Sequence, residues 1–216
     1  EPSLSDEQFH LTVNQTYYFD LSGEVIPGTK NDKLPDTALH WVPFSYAGTV
    51  NAYVLDKNEN SSTYNHSLFI ADRVVTHTVS WNELNEKNLI FGKTYGSNGV
   101  SYTLRAPSAG SSGNETDSKG IPENNEWDAV YNKNANNKYY YINKWMEISS
   151  WGQDRAVNIG NDYRVYRGGS SSATYWYFNL YTVQYNIVGF RPVLEIQNTD
   201  MLSPTSLKAV AINLNG

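Results

Sequence analysis

Short runs that mix β-branched and aromatic residues with polar ones recur along the chain, which is the pattern of half-buried strands. Clusters of Gly, Pro, Asn, Asp and Ser separate these runs and indicate turns. The pattern predicts strands in four segments, which are residues 11–21, 48–55, 67–79 and 99–105. Two polar stretches, 106–120 and 132–138, predict irregular loops that are too short to link domains.

Helical patterns are fewer. Ser80 followed by Glu83 forms a capping box, which predicts a short helix over 81–87. Acidic residues in the first turn, followed by apolar positions, predict a second helix over 122–131, and a weaker helical turn is predicted over 142–148. These elements together predict an α+β fold with two or three short helices.

The whole chain, residues 1–216, is long enough to form one domain with a proper core. We expect an N-terminal β extension over 1–36, a core over 37–196 and a C-terminal tail over 197–216. The tail ends in alternating apolar and polar residues, like a strand that stops mid-pattern. This alternation predicts that a further module follows the tail.

Composition excludes several classes of function. The net charge of −6 and the pI of about 5.2 argue against nucleic acid as a partner, because no basic stripe exists to displace counterions. No apolar run approaches the roughly 20 residues that a membrane-spanning helix needs, so we expect no membrane insertion. Cysteine is absent, which excludes disulfides, thiolate metal sites and a cysteine nucleophile.

The most unusual segment lies between Arg167 and Arg191, where no residue is charged although 18% of the whole chain is. Six aromatic side chains fall between Tyr175 and Tyr185, among Asn, Thr and Gln. Tyrosine combined with such adaptable polar residues is typical of recognition surfaces. Consecutive aromatic residues on a strand point to opposite faces, so some of them must be exposed. We therefore predict a ligand-binding face over 166–187.

Three motifs resemble the formylglycine-generating-enzyme superfamily, whose fold is C-type-lectin-like. They are IPENNEWDAVYNK (121–133), RGGS (167–170) and VGFRPVLEI (188–196). The resemblance implies a C-type-lectin-like fold with many short antiparallel strands and long irregular loops.

The chain resembles one branch of that superfamily more closely, the variable proteins of diversity-generating retroelements in bacteria and phages. The motifs that carry this resemblance are NEWD (125–128), SWGQD (150–154), RVYRGGSSSATYW (164–176) and VGFRPVLE (188–195). The similarity is good over 80–196 and looser over 37–80.

The resemblance implies that the segment before Gly-Phe-Arg is diversified, through adenine changes in codons such as AAC and AAT. Codons of this kind cannot yield Trp or Gln, so Trp176 and Gln184 are expected to be fixed. The predicted variable positions are Tyr177, Phe178, Asn179, Leu180, Tyr181, Thr182, Val183, Tyr185, Asn186 and Ile187. Tyr166 and Thr174 complete the predicted ligand-binding set, and Thr174 stands where this branch often carries Arg. Glu123 stands where the superfamily usually has Thr, which predicts a weakened helix N-cap.

Catalysis is not expected. The oxidase activity known in the superfamily depends on paired cysteines, which this chain lacks, so we predict neither an enzyme nor a cofactor. The acidic residues Glu123, Glu126 and Asp128 are interpreted as capping and helix-dipole residues. Asp154 is predicted to anchor a loop through backbone hydrogen bonds.

No metal site is predicted either. The four histidines, at positions 10, 40, 66 and 77, are scattered and are interpreted as structural. A calcium site in the loop around Asn114–Asp117 stays open as an alternative, because hard cations take oxygen ligands.

Large side chains around the charge-free segment are interpreted as scaffold. Arg167 and Arg191 are expected to hydrogen-bond buried carbonyls or a carboxylate at the base of a hairpin. Four tryptophans are expected to pack in the core, and these are Trp127, Trp145, Trp151 and Trp176.

The sequence therefore favours a non-enzymatic, monomeric recognition domain of a secreted or cell-surface bacterial protein, binding a protein or another macromolecular surface ligand. Two alternatives stay open. One is an adhesin whose aromatic face stacks on glycans, and the other is a structural module that packs this face on a neighbouring domain.

Overall fold

The computed structural model describes residues 11–97, 100–113, 119–133, 148–169 and 175–196. Within these ranges the secondary structure consists of β1 (Thr16–Phe19), β2 (Thr29–Lys30), β3 (Val42–Leu55), β4 (Ser61–Ala71), β5 (Thr76–His77), α1 (Trp81–Glu86), β6 (Lys93–Ser97), β7 (Val100–Arg105), β8 (Ser112–Gly113), β9 (Gly120–Ile121), α2 (Glu126–Lys133), β10 (Ser149–Arg155), β11 (Tyr163–Arg167), β12 (Trp176–Leu180), β13 (Val188–Phe190) and β14 (Val193–Ile196). The predicted α+β class is confirmed. The predicted C-type-lectin-like fold stays a prediction at this point.

The first of two six-stranded sheets has the order β1-β3-β4-β14-β7-β6, with every neighbouring pair antiparallel. Its longest pairing joins β3 to β4, and a bulge between Tyr46 and Gly48 shifts the register there. Because β1 pairs with β3 and Phe19 is buried, this part of the predicted N-terminal extension belongs to the core sheet.

The second sheet has the order β12-β11-β10-β13-β5-β2. It is mixed, because β10 and β13 run parallel while its other pairs are antiparallel. The strand β12 forms one edge of this sheet and carries the start of the predicted ligand-binding segment. A separate two-stranded ladder joins β8 to β9.

The main core contains buried residues from both sheets. Phe19 makes edge-to-face contacts with Phe44, Phe69 and Tyr102, at ring-centroid distances of 5.3, 5.1 and 5.5 Å. Such contacts add to the free energy gained from area burial alone. A second, smaller cluster packs Trp127 of α2 against the first sheet.

The predicted strands correspond to observed strands, but three of them change in extent. The segment 48–55 is the second half of the longer β3. The segment 11–21 contains only the four-residue β1, and 67–79 is divided between β4 and β5. The division occurs because the chain leaves the first sheet after Ala71 and joins the second at Thr76. The carboxylate of Asp72 lies at this crossing and accepts a 2.5 Å hydrogen bond from the Ser45 hydroxyl.

The capping box of α1 is confirmed. The Ser80 hydroxyl accepts from the Glu83 amide, and the Glu83 carboxylate accepts from the Ser80 amide at 2.8 Å. The second helix begins four residues later than predicted, at Glu126. The expectation that Glu123 weakens its N-cap is wrong, because Asn125 is the cap and its Oδ1 accepts from the Asp128 amide at 2.9 Å.

Three sequence predictions fall largely or wholly outside the described residues. They concern the helical turn over 142–148, the calcium alternative at 114–117 and the tail over 197–216. Neither described helix is long and apolar enough to span a bilayer.

Candidate recognition face

The predicted ligand-binding segment begins on the edge strand β12, which pairs antiparallel with β11. The register places Tyr166 opposite Tyr177 and Val165 opposite Phe178. Because side chains alternate along a strand, this register assigns Tyr177 and Phe178 to opposite faces of the sheet. The expectation that these neighbouring aromatics cannot share a face is confirmed.

One face of the hairpin is part of the scaffold. Phe178 is half-buried and packs with Tyr163, Trp176 and the buried Val165. The Trp176 indole N–H donates to the carbonyl of Gly110 at 2.9 Å. These contacts agree with a fixed Trp176, and they place Phe178 among the scaffold residues although its codon type made it a candidate variable position.

The other face carries a group of tyrosines, Tyr166, Tyr175, Tyr177 and Tyr185, which we call the tyrosine face. Tyr166 stacks on Tyr177 at a centroid distance of 5.7 Å, and Tyr175 lies 4.0 Å from Tyr177. Burial, and then the proximity of Tyr185 and Tyr175, raise the pKa of Tyr166. Its hydroxyl therefore stays neutral at physiological pH. Tyr175 was not among the predicted ligand-binding residues, although its alternation with Tyr177 could have identified it.

The tyrosine face rests on a buried indole. Trp151 is fully buried and meets the Tyr166 ring edge-on at 5.5 Å. Its own N–H donates to the Val79 carbonyl at 2.9 Å. Trp151 and Trp127 are core residues as predicted, Trp176 is half-buried, and Trp145 lies outside the described residues.

After β12 the chain crosses the surface through residues 181–187, which we call the crossing loop, and no side chain in this loop is buried. Main-chain hydrogen bonds hold its first residue: the Tyr181 amide donates to the Asp162 carbonyl at 2.8 Å, and the Tyr181 carbonyl accepts from Asn82 at 3.0 Å. The Asn82 amide belongs to the first turn of α1, where backbone donors lack partners within the helix. The helix start thus supplies one of the supports of this loop.

The far end of the crossing loop is held in the same way. The Tyr185 carbonyl accepts from the Thr78 amide at 3.2 Å, and the Ile187 carbonyl accepts from Ser149 at 2.9 Å. One side chain adds to these supports, since the Gln184 amide donates to Glu83 Oε1 at 2.7 Å. A fixed Gln184 is consistent with this bond.

The twelve predicted ligand-binding residues divide by exposure. Those with exposed side chains are Tyr177, Leu180, Thr182, Tyr185, Asn186 and Ile187, and those that are half-buried are Tyr166, Phe178, Asn179, Tyr181 and Val183. Thr174 lies outside the described residues. Tyr181 packs against the main core, and the guanidinium of Arg164 lies 5.8 Å from its ring and 4.5 Å from that of Trp81. Tyr181 is therefore a partly anchored member of the set.

Arg167 fixes the base of the hairpin, as predicted. Its guanidinium donates to the Ala109 carbonyl and to the Asp128 carboxylate, both at 2.6 Å, and to the Tyr175 carbonyl at 3.2 Å. Arg191 likewise donates to a backbone carbonyl, that of Asp72, at 2.9 Å.

Glu126 and Asp128 lie in the first turn of α2, as their interpretation as helix-dipole residues requires, but their carboxylates are also buried in ion pairs. Asp128 pairs with Arg167, and Glu126 pairs with Arg105 and accepts from His66 at 2.7 Å. Burial raises the pKa of Glu126, but the charge and hydrogen bonds of Arg105 outweigh it and hold that pKa at about 2. Arg105 is completely buried and also contacts Glu195 at 2.9 Å.

Asp154 anchors a loop, as predicted. Its carboxylate accepts from the Ala109 amide and from the Tyr53 hydroxyl, each at 2.6 Å. Burial raises the pKa of Asp154 to about 6 despite these hydrogen bonds.

The raised pKa values of His66 and Asp154 predict that the folded state is more stable at mildly acidic pH than at alkaline pH. Burial lowers the pKa of His66, but Glu126 more than offsets this, and the net shift is upward from 6.5. The stability due to His66 is thus complete below pH 6.5 and is lost as the pH rises through the raised pKa. The stability due to Asp154 likewise increases as the pH falls through about 6. Between pH 8 and pH 5, Asp154 alone contributes about 1–2 kcal/mol.

We therefore expect the melting temperature at pH 5 to exceed that at pH 8 by several degrees, as measured by circular dichroism. Below the usual glutamate range the trend reverses, because the stability due to Glu126 is lost as it becomes protonated. Asp154→Asn and His66→Gln should each reduce the difference between pH 5 and pH 8. An undiminished difference in both variants would refute this assignment.

Within the described residues, no group of three or more His, Asp and Glu side chains is arranged to hold a metal ion. His66 bonds to Glu126, His40 to Asp36 and His77 to Thr78, which agrees with structural roles for these three histidines.

No protein-family model, curated protein or solved structure matches the chain.

Proposed function

We propose that the chain is a non-enzymatic, extracellular ligand-binding domain with a C-type-lectin-like fold, and that the tyrosine face and the crossing loop form its binding surface. The observation that carries the proposal is the separation of roles in this segment. The backbone of the crossing loop is held at Tyr181, Tyr185 and Ile187 by main-chain hydrogen bonds, while most side chains of the segment are exposed, among them Tyr177, Thr182, Tyr185, Asn186 and Ile187. Such a surface can change its side chains without disturbing the core.

The chemistry of the surface suits a macromolecular ligand. Tyrosine offers large contact area at a low cost in conformational entropy, because its ring has only two side-chain torsions. Tyr177 and Tyr185 are 41% and 43% exposed, and Ile187 is 59% exposed. A preorganised backbone lowers the entropy lost on binding. A protein, or another surface macromolecule, is the ligand that such a surface fits best.

We further propose that this surface is diversified by a retroelement. The four motifs that resemble such variable proteins include β11 with its Arg-Gly-Gly-Ser extension and β13 with Gly-Phe-Arg, and they flank the exposed segment. The test is the flanking DNA. A near-copy of the codons for 166–196 that differs at adenines, beside a reverse-transcriptase gene, would support diversification, and the lack of both would refute it.

Replacing Tyr177, Tyr181 and Tyr185 together with alanine should abolish ligand binding and lower the melting temperature by no more than about 5 °C. The small stability effect is expected because two of the three rings are exposed and the loop is held by its backbone. Binding would be measured on arrays of extracellular proteins and of glycans, and stability by thermal unfolding.

Phe178→Ala is the matched control, because this ring lies on the inward face of the same hairpin. It should lower the melting temperature more than Tyr177→Ala does and leave binding intact. The proposal fails if the triple variant loses much of its stability and the molecules that remain folded still bind the ligand with unchanged affinity. Binding confined to glycans and lost in the triple variant would instead identify the tyrosine face as that of an adhesin.

A further inference from the structure

A second surface lies on the first sheet. The loop that follows β1, the turn before β3 and the strand β6 enclose an open groove with a volume of about 530 Å³. Its lining includes Asp20, Glu24, His40, Trp41 and Gly96. No residue of the tyrosine face or of the crossing loop takes part in it.

The walls of the groove are fixed by contacts across a seam. β1 and β6 are the opposite edges of the first sheet, yet the Tyr95 hydroxyl donates to the Asp20 carbonyl at 2.8 Å. An ion pair of 2.6 Å joins Lys93 of β6 to Glu24 in the loop after β1. The curled sheet thus brings its two edges together, and the groove is preformed.

The groove contains an unusually exposed indole. Trp41 is 41% exposed, whereas Trp81, Trp127 and Trp151 are buried. Aromatic side chains are frequent in the linings of ligand-binding sites, and Trp41 is among the residues that line this groove. Its flat apolar face offers a platform for stacking.

Hydrogen-bonding groups surround this platform. Hydrogen bonds from Ser22 lower the pKa of Asp20, so its carboxylate is ionised at neutral pH and is an acceptor. His40 is held by Asp36 through Nδ1 at 2.9 Å, and its ring is more than half exposed. The lining is mostly polar and includes two carboxylates, which favours ligands rich in hydroxyl donors and disfavours anions.

Two glycines leave room for a ligand. A Cβ added at Gly23 or at Gly96 would meet no protein atom within 4 Å, so packing does not require glycine at either position. Both glycines line the groove, and neither adds a side chain to its walls.

We propose that this groove is a binding site for neutral sugar rings, with the C–H face of a ring stacked on Trp41 and its hydroxyls donating to Asp20 and Glu24. Acidic sugars are disfavoured by the ionised Asp20, whereas the charge of Glu24 is already compensated by Lys93. This site is independent of the macromolecular surface proposed above and would serve the same chain as a second point of attachment.

The test uses the whole chain on an array of neutral and acidic glycans, followed by titration with the best neutral oligosaccharide. Binding is read by isothermal titration calorimetry, whose signal does not depend on the presence of Trp41. We expect neutral glycans to bind, and Trp41→Ala to weaken binding at least about tenfold, as for an aromatic residue at the centre of a binding site. Gly96→Val should narrow the groove and weaken binding in a protein that still folds, because valine is well suited to a strand.

Tyr185→Ala is the control, since it alters the tyrosine face and leaves the groove unchanged. Sugar binding that survives Tyr185→Ala but not Trp41→Ala or Gly96→Val would support the groove site. Failure of every neutral glycan to bind would overturn it, as would binding that only Tyr185→Ala reduces. Loss of the groove site would leave the proposed macromolecular surface untouched, because the triple tyrosine variant tests that surface separately.

Discussion

Replacing Asp128 with alanine is expected to lower the free energy of unfolding by about 3–5 kcal/mol, because the change leaves a guanidinium buried without its carboxylate. The side chains of Arg167 and Asp128 are 0% and 2% exposed, and their nearest charged atoms lie 2.6 Å apart. The same carboxylate accepts from the Gly120 amide at 2.8 Å and from the Asn125 side chain at 2.7 Å. Its removal therefore deprives the buried Gly120 amide and the buried Arg167 guanidinium of this acceptor.

Urea unfolding at neutral pH measures this effect, and Glu123→Ala is its matched control. Glu123 is an acidic residue of the same segment but is exposed, so its loss should change stability by no more than about 0.5 kcal/mol. Equal unfolding midpoints for the two variants would show that the Arg167 pair does not stabilise the fold. Because Arg167 also holds the Tyr175 carbonyl, Asp128→Ala should disturb the tyrosine face as well.

The ion-pair partners of the buried carboxylates Glu126 and Asp128 could not be predicted from the sequence. A capping box such as Ser80 and Glu83 is local, so its residues identify the helix start directly. The partners of Glu126 and Asp128 are 21 and 39 residues away along the chain. Acidic residues near a helix start have a sufficient local explanation, and only the tertiary fold brings the two arginines to them.

The sequence predicted where the candidate recognition face lies along the chain, but not which of its side chains face the core. Alternation along a strand requires Tyr177 and Phe178 to face opposite ways, but it does not say which of them faces the core. The pairing of Phe178 with Val165 decides this, and that register depends on the hairpin. The supports from Asn82 and Thr78 were likewise hidden, because backbone hydrogen bonds leave no signal in side-chain composition.

The exposure of Trp41 is a third feature that the sequence could not predict. Sequence reasoning treats a tryptophan as a core residue, since most large aromatics are well buried. Trp41 immediately precedes a run of buried β3 residues, yet it is exposed. The groove that it lines includes Asp20 and Tyr95, which meet across the seam between the sheet edges. A site that depends on sheet curvature is invisible to local patterns.

Gly189→Ala is expected to be the most damaging of the small substitutions, because the backbone of β5 lies close to Gly189. A Cβ at this position would lie 2.2 Å from the Thr76 carbonyl oxygen and 3.1 Å from the His77 Cα, both of them backbone atoms of β5. The backbone can relieve this clash only by breaking the pairing of β13 with β5. Overpacking of this kind costs about 1–3 kcal/mol or more, which corresponds to a loss of roughly 6–12 °C in melting temperature at the upper end.

The matched control is Gly96→Ala, also in a strand, where the added Cβ meets no protein atom within 4 Å. Thermal unfolding should place this variant within about 2 °C of the unmodified chain, or slightly above it, since replacing a strand glycine reduces the entropy of the unfolded state. Gly189 lies two residues after the end of the crossing loop, so its clash would also displace the Thr78 amide from the Tyr185 carbonyl. Equal melting temperatures for the two alanine variants would show that β5 moves away from the added Cβ at little cost in stability. The crossing loop would then lack a rigid support. Its proposed role as a variable binding surface depends on that support.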